Sequence, residues 1–262
     1  MAAILLAAAA VTFFALPLVG MAWRAPWSSA FEYLGNDRFR TALRLSLWCS
    51  LWAAGLSVLF GTPLAWVLAR IDFRGRSVVR ALATLSMVLP PVVGGVALFF
   101  ALGRRGLVGQ YLDRWFDVQL PFTTTAVVIA QTFVAMPFFV VTVEAALHQL
   151  DPRHEEAART LGASPWMIFF RVVLPAIKPA LMAGVVLSWA RALGEFGATM
   201  TFAGNFPGTT QTLPLAVYLS LESNPEEALV QSLVLVVISL TVLIGLRDRW
   251  LMRTPATQGA LP

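Results

Sequence analysis

Arg191 and Glu195 stand four residues apart in a run that is otherwise almost wholly apolar. On a helix that spacing puts a guanidinium and a carboxylate on one face, a turn from each other. Ser188 and Thr199 extend the series to spacings of 3, 4 and 4, which predicts a polar stripe on one helix. Charge at bilayer depth costs roughly 2.5–3.5 kcal/mol on insertion scales, so such residues face a protein interior or water. Two roles fit: the lining or gate of an ion path, and a buried structural pair that fixes packing. Gly194 and Gly197 flank the stripe and would allow close helix approach. The remaining reactive side chains argue against catalysis. His148 and His154 are the two histidines, and neither belongs to a metal-spaced cluster such as His-Glu-x-x-His. Cys49 is the single cysteine, in an apolar run, so no disulfide or thiolate–metal framework is expected. Lys178, beside Pro179, is the single lysine, and the chain has no Gly-x-x-x-x-Gly-Lys-Ser/Thr phosphate loop.

A second constellation runs from Asp151 to Pro175 and reads as two short helices. Asp151 is a capping residue, Pro152 suits a first helical position, and Glu155 and Glu156 favour the positive end of the helix. Glu155 and Arg159 have the spacing of an i,i+4 ion pair. Ala157, Ala158 and Leu161 leave a small, smooth face against which another protein could pack. Gly162 is expected to end the helix in a left-handed conformation. Ser164-Pro165 repeats the cap-and-proline start, and Trp166, Ile168, Phe169, Phe170, Val172, Val173 and Leu174 make the second helix apolar until Pro175 stops it. Taken alone, these features suit a docking segment and a structural interfacial loop equally.

A third feature is a set of breakers inside apolar runs. Pro90 and Pro91 are followed by Gly94 and Gly95, and Pro137 interrupts another run. Proline removes a backbone donor, and in lipid the freed carbonyls need partners from neighbouring helices, side chains or water. Each break either serves packing alone or bends a helix at a pathway, and the Pro-Pro…Gly-Gly run favours the bend.

These residues need long apolar elements to position them, and the composition supplies them. The 262 residues are 58% hydrophobic and 13% charged, with a mean hydropathy of +0.74, against about 25% charged in soluble domains. Six stretches reach the ~20 apolar residues of a spanning helix, roughly 2–22, 42–68, 81–102, 122–144, 180–203 and 229–246. The first lacks the basic start of a signal peptide and is expected to be an uncleaved span. The expected fold is all-α: a single polytopic membrane domain over 1–262 with about six transmembrane helices and no soluble domain. Of the 19 basic residues 18 are arginine, clustered between the apolar runs, which suits membrane orientation better than nucleic-acid binding. With the N-terminus inside, eleven fall on inside segments and seven outside, so both termini are expected in the cytoplasm.

The spacing of Glu156-Ala157-Ala158, Gly162, Phe169 and Leu174-Pro175 resembles the EAA loop of ABC-importer permeases, with Val172 where the family usually has Ile. The resemblance implies a coupling helix that docks into a cleft of a cytoplasmic ATPase through Glu156, Ala157, Ala158 and Gly162, supported by Phe169, Leu174 and Pro175. The run Arg191 to Thr201, then Gly204-Asn205 and Thr210 to Pro214, together with Pro90 to Gly95, is similar to molybdate permeases of the type I ABC importers. The similarity covers residues 41–245, the expected transmembrane core. The intramembrane charges, the stripe and the breakers give Pro90, Pro91, Gly94, Ser188, Arg191, Gly194, Glu195 and Thr199 as the expected translocation path or gate. The resemblance also implies a homodimer in the bacterial cytoplasmic membrane, two ATPase subunits and an extracytoplasmic molybdate-binding protein. No cofactor is expected on this chain, ATP and magnesium being bound by the partner ATPase.

Sulfate and thiosulfate permeases share a Gly-Glu-aromatic-Gly segment, and Phe196 to Thr199 with Gln211 to Pro214 favours molybdate over them. Tungstate has nearly the same size, shape and charge. An ion-coupled secondary transporter would show an internal repeat, and none is visible. An intramembrane enzyme would need the metal cluster that the two histidines do not form.

Overall fold

The computed structural model describes residues 1–250, with side chains described through Gly245. Among these every regular element is helical. Arg247, Arg249 and Arg253, counted above towards an inside tail, lie outside the described side chains.

The chain opens with α1 (Ala2–Arg24), apolar on every side and burying none of its residues. A short α2 (Ala30–Gly35) leads into α3 (Asp37–Arg70), 34 residues long. The expected third span is two helices, α4 (Arg76–Val88) and α5 (Pro91–Leu102). Leu89 precedes a proline and is held extended (ψ 135), as is Pro90 (ψ 130), while Pro91 starts α5 where its missing N–H is not needed. The Pro-Pro pair thus ends one helix and starts another. Beyond it lie α6 (Gly109–Phe116) and α7 (Thr124–Gln149), the latter capped by the Thr123 side chain.

The segment after α7 forms α8 (Arg153–Thr160) and α9 (Pro165–Ile168), which runs through a π-helical turn (Phe169–Val173) into α10 (Leu174–Leu193). The expected fifth span also breaks: α11 (Gly197–Ala203) starts after a three-residue interruption. Two further helices follow, α12 (Leu213–Ser223) and α13 (Pro225–Trp250). Among the described residues five stretches are long and apolar enough to cross a membrane, Ala2–Arg24, Asp37–Arg70, Thr124–Gln149, Pro165–Leu193 and Pro225–Gly245, with Pro91–Leu102 and Leu213–Ser223 as shorter apolar helices.

Two compact units divide the chain, residues 45–210 and the two ends, 1–44 with the segment from Gln211. In the unit of the two ends, Phe39 and Ala42 pack with Leu213 and Ala216. In the central unit, α7 is the buried axis. Phe139 on α7 is fully buried, and a Cβ on Gly61 of α3 or Gly184 of α10 would come within 2.7 and 2.9 Å of its ring. Two glycines on different helices therefore hold one phenyl ring between them. Around it lie Leu68, Val143, Leu147, Ile168, Val173 and Ile177.

Candidate functional site

Glu195 lies in the interruption between α10 and α11, and its carboxylate makes two different contacts. Oε1 accepts the Ala198 N–H at 2.9 Å, satisfying a donor in the first turn of α11. Oε2 lies 2.6 Å from Nη1 of Arg191, in the last turn of α10. The Glu195 side chain is 1% exposed and that of Arg191 28%, so the carboxylate is enclosed and the guanidinium keeps part of its hydration. The spacing of 191 and 195 thus gives the expected pair, but at a helix end.

The single stripe does not survive that break. Ser188 is buried and its hydroxyl turns back to the Val185 carbonyl at 3.0 Å, while Thr199 is buried on α11. Gly197 makes the expected close approach, since a Cβ there would lie 3.1 Å from Pro91 and from the Val92 nitrogen. Gly194 does not. It is exposed, and a Cβ would meet only the Ala190 carbonyl at 3.7 Å. Its place is at the exposed end of α10, where backbone leaves the helix.

The proline break positions α5 against this junction. A Cβ on Gly95 would lie 1.8 Å from Thr201 Oγ1 and 2.7 Å from the Ala198 carbonyl, so α5 and α11 touch backbone to backbone. Gly94 faces the Phe133 ring of α7, 3.0 Å from where its Cβ would be. Pro137 frees the Phe133 carbonyl by removing the N–H four residues on, and Ser86 of α4 donates its hydroxyl to that same carbonyl at 2.8 Å. The partner from a neighbouring helix that a buried proline calls for is therefore present.

Gln131 carries no sequence signal beyond being an amide in an apolar run, and it is fully buried on α7. Its amide nitrogen and oxygen have no hydrogen-bond partner among the described residues, and neither has the Thr199 hydroxyl. Ala130 packs with Ala198, and Ala135 with Ala192, so Gln131 is bracketed by contacts to the two sides of the Glu195 interruption. Burying such an amide bare costs about 1–3 kcal/mol, which marks this position as one not built for packing alone.

The segment from Asp151 to Pro175 is the second candidate. Asp151 Oδ1 accepts the Arg153 N–H at 3.0 Å, Ser164 caps α9 by accepting from Met167 at 3.3 Å, and Gly162 has φ +81. Glu156, Ala157 and Gly162 are exposed, and Leu161 is 88% exposed, so the outer face is open. Ala158 turns partly inward against the core and is not on that open face.

Two expectations fail here. Glu155 does not pair with Arg159; it is buried and meets Arg70 of α3 at 2.8 Å. Nor does Pro175 stop a helix. It is near the start of α10, where the preceding π turn accommodates its missing donor. That turn also keeps the inner face in register: Ile168 and Val173, five residues apart, and Ile177, four further on, all face the same core. Phe169 packs edge-on to Trp66 at 5.3 Å between ring centres, Leu174 is partly buried and Pro175 exposed.

Comparison with known proteins matches residues 61–254 to the family of binding-protein-dependent transport system inner membrane components. The molybdenum transport system permease protein ModB of Mycobacterium tuberculosis is 45% identical over 245 residues, covering 93% of this chain and 92% of that protein. The sulfate transport system permease protein CysW of Synechocystis is 38% identical over 85% of this chain and 80% of its own length. Among solved structures, a bacterial ABC transporter involved in alginate import superposes with a TM-score of 0.72 at 20% identity, over 96% of this chain and 95% of that one. With its apolar spans and this match over most of its length, the chain belongs to the binding-protein-dependent transport system inner membrane component family and is a multi-pass membrane permease.

Proposed function

We propose that this chain is the membrane-spanning permease of an ABC importer for molybdate, with tungstate as a second substrate of the same shape and charge. The observation that carries the cargo is the 45% identity to a molybdenum permease over nine-tenths of both chains, against 38% for a sulfate permease over less of each. Two copies of the chain would form the pathway, two cytoplasmic ATPase subunits would bind ATP and magnesium, and an external protein would deliver the oxyanion. Both termini and the α8–α9 segment face the cytoplasm, a placement supported by the excess of arginine on those segments.

The residues suit a weakly binding path. A permease that held its cargo tightly would not release it, so neutral donors and a half-compensated cation serve better than a cage of charges. Thr199 and Gln131, buried in this conformation, offer the hydroxyl and amide once the path opens, and Arg191, partly neutralised by Glu195, offers the cation. ATP-driven movement enters through the exposed face of Glu156, Ala157 and Gly162, with Phe169, Leu174 and Pro175 holding the base of that segment. The α5–α11 contact, with Pro90 and Pro91 behind it, is the gate that moves.

Competition decides the cargo. Vesicles carrying the complete transporter should take up labelled molybdate, and tungstate at equal concentration should compete while sulfate does not. Displacement by sulfate would overturn the cargo and leave the permease assignment standing.

A further inference from the structure

Of the two adjacent acids that open α8, one faces out and one faces in. Glu156 is exposed, whereas the Glu155 side chain is 7% exposed and lies against Arg70 Nη2 at 2.8 Å. Carboxylates are seldom buried unless paired, and of the rest of this short helix only Ala158 turns inward. Arg70 closes α3, and the same Nη2 donates to the Leu150 carbonyl at 3.3 Å, just past the end of α7. One guanidinium thus joins the ends of α3 and α7 to the start of α8.

The neighbouring turn of α3 is tied to α4. The Leu68 carbonyl, one of the last that α3 leaves without an internal partner, accepts from Arg76 Nε at 2.8 Å and Arg80 Nη2 at 3.3 Å. Arg80 Nε in turn donates to Glu144 of α7 at 2.9 Å. The last turn of α3 is therefore where α4 and α7 meet through charged hydrogen bonds, and the Arg70–Glu155 ion contact is the point at which α8 joins them.

We propose that Arg70 and Glu155 are positioning residues for transport, a strut that holds α8 at a fixed angle and passes its displacement into α3. This rests on the reading that α8 docks against the ATPase. The helix is linked to its surroundings by two short loops, one of them turning at Gly162, so without the strut it can tilt on its hinge and leave the bundle behind. A planar guanidinium with two acceptors resists such tilting better than a single contact. Glu156 then remains free for the partner, and the paired acids divide the work between docking and transmission.

The test uses the whole transporter in proteoliposomes, reading molybdate accumulated per ATP hydrolysed alongside co-purification of the ATPase. Glu155→Gln and Arg70→Gln should each lower the transported amount per ATP by about tenfold, the scale of a broken, partly buried ion contact, with the ATPase still bound. The reversed pair, Arg70→Glu with Glu155→Arg, restores the ion contact but not the bond to the Leu150 carbonyl and should recover part of it. Unchanged coupling in both single variants overturns the strut, as does a loss that the reversed pair fails to recover even in part. Should a single variant fail to insert, the reversed pair decides alone: measurable coupling in it supports the strut and its absence overturns it. An unaltered complex without ATP-driven uptake would instead refute the docking reading on which the strut rests.

Discussion

Replacing Glu195 separates the two contacts of its carboxylate. In Glu195→Gln the amide oxygen can still accept the Ala198 N–H now held at 2.9 Å, but the ion contact to Arg191 is gone. A fully buried pair broken on one side loses about 3–5 kcal/mol. Arg191 is 28% exposed and can rehydrate, so about 1–2 kcal/mol is the expected loss, between an exposed ion pair and a fully buried one. Glu195→Ala also removes the acceptor for Ala198, leaving a buried N–H bare, which adds about 1–3 kcal/mol. A third variant, Arg191→Met with Glu195→Gln, leaves no unpaired charge and should lie closer to the unaltered protein than Glu195→Ala. Reversible unfolding in mixed micelles, followed by near-ultraviolet circular dichroism, gives the order: unaltered protein, Gln, Ala, with the double variant nearer the top. Equal stability of the Gln and Ala variants would refute the capping contact, and an unaltered midpoint for both would refute the pair as well.

Three other outcomes follow from the same geometry. Gly162 has φ +81 with open space around a Cβ, so its constraint is backbone alone; Gly162→Val should abolish uptake and stimulated ATP hydrolysis, and Gly162→Asn should keep both. Ser86→Ala should cost about 1–2 kcal/mol by baring the Phe133 carbonyl, and in a Pro137→Ala background, where a backbone N–H can return, the same change should be nearly silent in unfolding measurements. Asp113 accepts from Arg104 at 3.0 Å and Gln119 at 2.9 Å, and the Arg104 bond chiefly, with that of Gln119, holds its carboxyl below the ordinary carboxylate range. A depressed carboxyl stabilises above its unfolded value and loses that contribution only as pH falls through the folded one. Hydrogen exchange across the α5–α7 connection, corrected for intrinsic rate, should therefore match at pH 7 and about pH 4, the ordinary Asp value, and a loss of protection already seen there would contradict the contacts.

Spans were legible because lipid imposes a simple rule, about twenty apolar residues in a row. α12 escaped that rule with its 11 residues. The break at Pro90 could be read because proline forbids a donor and restrains the residue before it. The break at Glu195 could not, since Gly-Glu-Phe-Gly contains nothing that forbids a helix, and the stripe reading assumed continuity. Glu155 shows the limit most clearly: its local spacing pointed to Arg159, whereas its partner is Arg70, 85 positions earlier in the sequence. Only the return of α8 to the end of α3 makes that contact available. Ser86 is alike in this respect, because what defines it is the Phe133 carbonyl of another helix.

The most direct test of the permease reading is uptake into vesicles with each component omitted in turn. Vesicles holding this chain and its ATPase, with the binding protein outside and ATP inside, should accumulate molybdate. Omitting the chain, the ATPase, the binding protein or ATP should each reduce accumulation to background. Accumulation that persists without ATP or without the ATPase, driven by an ion gradient, would contradict the account.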